Sequence, residues 1–169
     1  MNSNNINSAK PRVNVAVQWA VQADHPPFSE ISNVQIRRWV RACFNDTASI
    51  TLRFVGSMES RILNRDFRGK DKPTNVLTFP GDVSGMGLPS EQARKLPKFM
   101  ADIVVCPEVL EIEAKEQHKQ ILHHLAHMIV HGCLHAQGFL HDDDEQQQTM
   151  ETKEIEILHQ FNIPNPYNL

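Results

Sequence analysis

The string HGCLHAQGFLH, residues 131 to 141, restricts the fold of this chain more than any other segment. His131 and His135 stand four residues apart in an apolar run, so a helix of 3.6 residues per turn brings both imidazoles onto one face, one turn apart. Gly138 follows three residues later and can adopt the left-handed conformation that ends a helix and turns the chain. His141 is then carried back toward the pair. Three neutral imidazoles suit Zn²⁺, and three protein ligands leave the fourth tetrahedral position to water, as in catalytic rather than closed structural sites. A water held there has its pKa lowered to about 7. The expectation is one zinc ion per chain on His131, His135 and His141, with the zinc-bound water as the reacting group.

Eight of the nine histidines lie after residue 117. His123 and His127 continue the same stripe backward but sit one and two turns further from Gly138, too far for the returning His141; they are read as helix surface or core. His118 and His124 are expected to face solvent. Cys43, Cys106 and Cys133 are odd in number, widely spaced and form no CxxC pair, so free thiols in a reducing compartment are expected. Cys133 lies about 200° around the helix from both His131 and His135, which gives it a packing role rather than a place on the metal.

The spacing of the three histidines and Gly138 equals that of the metzincin protease signature HExxHxxGxxH. In those proteases the Glu after the first histidine is the general base, whereas position 132 here is glycine. Peptide hydrolysis by that route is therefore not available.

Alternation of Val13, Val15, Val17 and Trp19 with polar or small residues, and of Ile50, Leu52 and Phe54 with Thr51 and Arg53, marks two strands. Between them, Ser32 and Gln35 form a capping box, and Ile36, Trp39, Val40 and Cys43 recur at helical spacing. A short helix from about Met58 to Asp66, the loop RGKDKPT and a strand at 76 to 79 follow. The stretch 80 to 100 carries three prolines and three glycines and reads as a long connection, mobile or functional. Ile103 to Val105 reads as a buried strand, and the remainder as helices over 108–117, 119–137 and 143–161. Asp142 with Glu145 can cap the last, whose Met150, Ile157, Leu158 and Phe161 share a face. This order predicts a single α+β domain, a small mixed four-stranded sheet packed with about five helices, over residues 13–169, after a flexible N-terminal tail, residues 1–12.

A chain of 169 residues, 40% of them hydrophobic, can close one core unaided. Its first dozen residues lack the apolar stretch of a secretory signal, and no apolar run approaches the ~20 residues that span a bilayer. A soluble, cytoplasmic protein with no membrane association is expected. The formal charge of −3 is unevenly distributed: residues 1–100 carry 14 Lys+Arg against 8 Asp+Glu, and residues 101–169 carry 3 against 12. A basic first part can face a polyanion, while most of the acidic part reads as solvated helix surface. Within the basic part, residues 61–72 set Arg61, Arg65, Arg68, Lys70 and Lys72 against Asp66 and Asp71, a local excess suited to backbone phosphates or simply to a solvated loop.

HGCLHAQGFLH, together with LNRDFRGKDKPTNVLTFP and ADIVVCPE, resembles the YbeY family of metal-dependent endoribonucleases that mature ribosomal RNA, over roughly residues 13–167. The resemblance places the family's three zinc ligands on His131, His135 and His141 and its functionally important arginine on Arg68. It implies a single-strand-directed endoribonuclease that acts in small-subunit rRNA 3′ end maturation and ribosome quality control. Ribosomal RNA and the small subunit or its assembly factors are the implied partners. Arg61, Arg65, Lys70 and Lys72 become candidate RNA contacts. Two departures stand out: Leu140 replaces an aspartate before the third histidine, and Asn75 stands where many members carry aspartate. A zinc hydrolase of another substrate and a non-catalytic, zinc-stabilised assembly factor are the competing readings.

Overall fold

The computed structural model of the chain describes residues 11–21, 28–82 and 86–168; of the expected tail, residues 1–10 lie outside them. The two alternating segments form β1 (Val13–Trp19) and β2 (Ala48–Phe54), paired in parallel from Val13 opposite Ala48 to Trp19 opposite Phe54. Helix α1 (Asn33–Ala42) joins them. Its Ser32 cap accepts the Gln35 N–H at 3.1 Å, and Ile36, Trp39 and Val40 are buried. Arg37 and Arg41 reach from α1 to the carbonyls of Val15 and Val13 and so occupy acceptors of β1, an edge strand.

Six α-helices and four strands occur among the described residues, in the order β1, α1, β2, α2 (Ser57–Arg68), β3 (Val76–Pro80), α3 (Ser90–Ala93), β4 (Phe99–Val105), α4 (Pro107–Glu116), α5 (Ile121–Ala136) and α6 (Asp144–His159). The sheet runs β1-β2-β4-β3, parallel except for β3, which pairs antiparallel with β4 at the other edge. This is the α+β architecture expected, with one-turn α3 as the additional helix. Strand β4 begins at Phe99, before the apolar run that marks it in the sequence. Pairing with β2 on one side and β3 on the other extends it through Asp102, against local propensity. The cap of α6 is Asp143, whose carboxylate accepts the Gln146 N–H at 2.8 Å, one residue later than the Asp142–Glu145 pair. No helix among the described residues is long and apolar enough to cross a membrane.

Helix α5 is apolar nearly all round and is surrounded accordingly: it lies on β3 and β4, with α1, α4 and α6 beside it. Ile103 and Val105 face it across the main core, while Leu77 and Val104 point through the sheet toward Leu63 of α2. All three cysteines are free and buried. Gly132 is where α5 comes closest to the sheet. A Cβ there would stand 2.9 Å from Ile103 Cγ2, 3.2 Å from Thr78 Oγ1 and 3.2 Å from Val76 Cγ2. The position that carries glutamate in metzincins is thus pressed against a β-sheet, with no room for a side chain.

Gly132→Ala tests that contact. Alanine favours a helix by about 1 kcal/mol. Overpacking against a β-branched neighbour in a strand costs about 1–3 kcal/mol. A net loss of about 1 kcal/mol in denaturant unfolding is expected, and a variant more stable than the parent would show the seat to be loose.

Candidate metal centre

The end of α5 is built by a glycine turn. Gly138 has φ +89°; its N–H bonds the His135 carbonyl at 3.0 Å and the Phe139 N–H bonds the Leu134 carbonyl at 3.1 Å. These are the two bonds of a Schellman motif, available at low cost only to glycine. The turn has a second product: it aims the Phe139 carbonyl at His135, whose Nδ1 lies 2.9 Å away. His141 follows two residues on, its ring stacked on His131 at 5.6 Å between centroids and tilted against His135 at 5.0 Å.

The histidine nitrogens of His131, His135 and His141 gather with one atom of each within 4.8 Å of the others, a set that can hold a metal ion. His131 Nε2 and His135 Nε2 are 3.0 Å apart. Two nitrogens on a tetrahedral Zn²⁺, each at about 2.0–2.1 Å, would be about 3.3 Å apart, close to the observed spacing. The donor chemistry fits as well. His131 Nδ1 donates to Glu154 Oε1 at 2.7 Å and His135 Nδ1 donates to the Phe139 carbonyl, so each ring keeps its Nε2 lone pair for a cation. His131 and His135 are partly buried and His141 is exposed, which leaves the cluster open on one side.

Glu154 carries the arrangement from behind. Its side chain is fully buried, with Oε1 on His131 and Oε2 accepting from His127 Nε2 at 3.0 Å and from the Tyr167 hydroxyl. Burial alone would raise its pKa; the hydrogen bonds of His127, His131 and Tyr167 outweigh it and hold the carboxyl down at about 2. Burial lowers the pKa of His127, against the pull of Glu154, and burial together with the His131 and His141 rings lowers that of His135. His135, the one of the two that belongs to the cluster, is thereby favoured in the neutral form, the state a metal ligand needs.

Glu154 and Tyr167 have no place in the sequence reading. The signal for Glu154 was present: Met150, Glu154, Ile157 and Leu158 form one i, i+4, i+7, i+8 stripe, and an acid on a buried stripe requires partners. Tyr167, in the C-terminal segment, offers no periodicity to read. His127 is a core residue, as one of the two readings had it. His124, expected in solvent, is buried instead and bonds Glu113 at 2.8 Å, because α4 packs over that end of α5.

Arg68 ends α2 at the free edge of β3. Its Nη2 donates to the Thr78 carbonyl at 3.2 Å, and the Thr78 hydroxyl donates to the Gly132 carbonyl at 3.0 Å, between His131 and His135 in sequence. The guanidinium is thus two hydrogen bonds from the helix that carries the histidines, and its side chain is exposed. Arg61 makes two bonds to Asp71, at 2.8 and 2.9 Å, and Arg65 bonds Asp66 at 2.8 Å, while Lys70 and Lys72 are exposed. The loop after α2 is anchored by buried Asn64 and Ser60, which bond the carbonyls of Lys72 and Thr74.

Residues 22–162 match the family described as Endoribonuclease YbeY. The chain is 44% identical over 159 residues to Endoribonuclease YbeY of Thiobacillus denitrificans, covering 94% of this chain and 98% of that protein. It is 47% identical over 133 residues to Endoribonuclease YbeY of Herminiimonas arsenicoxydans, covering 78% and 82%. The solution structure of TM1509 from Thermotoga maritima shares the fold, with a TM-score of 0.50 and 22% identity over 92% of this chain and 99% of that one. A match over most of the chain, with three histidines gathered at the end of one helix, leads to one conclusion: the chain belongs to the Endoribonuclease YbeY family.

Proposed function

We propose that this chain is a zinc-dependent endoribonuclease that cuts phosphodiester bonds in single-stranded regions of ribosomal RNA, in the cytoplasm, during 3′ end maturation of small-subunit rRNA and its quality control. Residues 13–169 form the catalytic domain, and the small ribosomal subunit or its assembly factors are its partners. The observation that carries this reading is the convergence of three imidazoles whose free nitrogens are preset by Glu154 and the Phe139 carbonyl, in a chain of this family. His131, His135 and His141 would hold the ion, which when bound supplies a Lewis acid and a water of lowered pKa. The exposed His141 leaves that side open to substrate, which disfavours a purely structural zinc.

The remaining work falls to the chain itself. A phosphodiester gathers negative charge on its oxygens at the transition state, and donors fixed beforehand stabilise it most. Arg68 is such a donor: one N–H is tied to Thr78, which orients the planar guanidinium and leaves its other N–H groups for two oxygens of one phosphate. Arg61, Arg65, Lys70 and Lys72 lie along α2 and its loop and hold neighbouring phosphates by charge. Arg61 and Arg65 would exchange Asp71 and Asp66 for RNA, so their contribution is smaller than formal charge suggests.

Metal analysis after dialysis should give one zinc per chain, lost in His131→Ala and in His135→Ala; two equivalents, or retention in both variants, would remove the site. Glu154→Gln should keep the fold but weaken zinc about 10–100-fold, because an amide nitrogen then meets groups that donate. Zinc affinity should fall as pH drops, since protons compete for the ligands. Burial and the neighbouring rings lower the pKa of His135, so its own share of that competition begins below 6.5. Arg68→Ala should leave zinc content unchanged and lower the cleavage rate by about 10²-fold or more, with Arg68→Lys recovering little of it. Wild-type rates in Arg68→Ala would move the reading toward the assembly factor.

A further inference from the structure

A cavity of about 330 Å³ opens at the other end of α5, between its first turns and the C-terminal segment. Its wall is unusual for this half of the chain. Residues 101–169 carry twelve acids and three cations, yet the described lining holds no Asp or Glu side chain and takes one of the three cations, Lys119. His124 and His127 stand in the wall, 4% and 6% exposed. Each gives its Nε2 to a carboxylate behind it, Glu113 or Glu154, and each keeps a buried Nδ1 with no partner among the described residues. Both of these nitrogens are closed off from solvent, so the two rings enter the wall as surfaces held from behind by their carboxylates.

We infer that this cavity is a nucleotide subsite, which takes one nucleotide of an RNA strand whose scissile phosphate lies at the three histidines. The inference rests on the endoribonuclease reading for its strand, and on the cavity for its chemistry. Pro164, Pro166 and Ile163 give apolar surface on one side and the ring of His123 stands on the other, a setting for a planar base. Asn165 and Asn168 bring amides that both donate and accept, as the edge of a base requires. The phosphate is met by Lys119 and the first turn of α5, whose N-cap Gln120 makes no side-chain capping bond.

The cavity and the metal centre share a wall. His127 and His131 lie one turn apart on α5, about 6 Å of helix rise, and both bond Glu154. The Tyr167 hydroxyl bonds His127 and Glu154 between them, and the Tyr167 side chain also lines the space beside His131 and His141. A strand crossing the histidines has this cavity within reach of its next nucleotides, on the side of α5 away from the Gly138 turn.

The test uses metal-free full-length protein, so that the histidine cluster cannot hold a phosphate through an ion. Histidine imidazole signals are followed by NMR at constant pH during titration with AMP, with adenosine and with inorganic phosphate. AMP should shift the His123, His124 and His127 signals saturably, at a concentration about tenfold below that needed for adenosine or phosphate alone. Lys119→Gln and Asn168→Ala should each weaken AMP and raise KM for an oligoribonucleotide in the zinc-loaded enzyme, with kcat near wild type. Signals unmoved at millimolar AMP, or moved equally by phosphate alone, overturn the nucleotide subsite. If RNA is cut while AMP leaves these signals unmoved, the subsite fails alone. If AMP binds but the zinc-loaded enzyme does not cut RNA, the endoribonuclease reading and the strand assigned to the subsite fail, while the nucleotide pocket stands.

Discussion

A carboxylate buried without solvent survives only where donors meet it, and Glu154 is that carboxylate. An unpaired charge in its place would cost several kcal/mol; here His131, His127 and Tyr167 supply three hydrogen bonds from two separate parts of the chain. The same bonds lock α6 to α5 and bring the C-terminal segment across both. Function and stability are coupled at this point. The bond that satisfies Glu154 fixes the tautomer of His131, and so the charge that threatens the core also leaves the Nε2 lone pair of that ring to the histidine cluster.

The second constraint is the approach of α5 to the sheet. An apolar helix that must lie against β3 and β4 needs one position without a side chain, and Gly132 fills it. The Gly132 carbonyl at that close contact accepts the Thr78 hydroxyl, and the Thr78 carbonyl in turn takes Arg68 at the edge of β3. Helix, strand and guanidinium are thereby held in one register. The glycine that leaves no room for a metzincin-type base is also the one whose carbonyl receives the hydroxyl of Thr78, the residue that Arg68 bonds.

Both edges of the sheet are met by arginine: Arg37 and Arg41 on β1, Arg68 on β3. Guanidinium groups on otherwise open carbonyls discourage strand addition by another chain. On β1 the arrangement is protective only. On β3 it coincides with the helix end and loop that carry Arg61, Arg65, Arg68, Lys70 and Lys72.

Local order was written plainly in the sequence. The Ser32 cap, the alternation of β1 and β2, the i, i+4 histidines and the Gly138 turn each depend on residues within a few positions of one another, where dihedral preference and spacing act directly. They brought His131, His135 and His141 together without knowledge of the fold. What the sequence could not decide depends on which elements meet. Strand β4 began earlier than its apolar run because two neighbours paired with it, and His124 turned out buried because α4 covers it. Glu154 and Tyr167 reach the centre from 23 and 36 residues beyond His131, and Arg68 meets β3, one of the strands under α5, from 63 residues before it. Such encounters are set by the packing of α5 on the sheet and by the need of a buried charge for donors, and these are properties of the closed core, not of any segment.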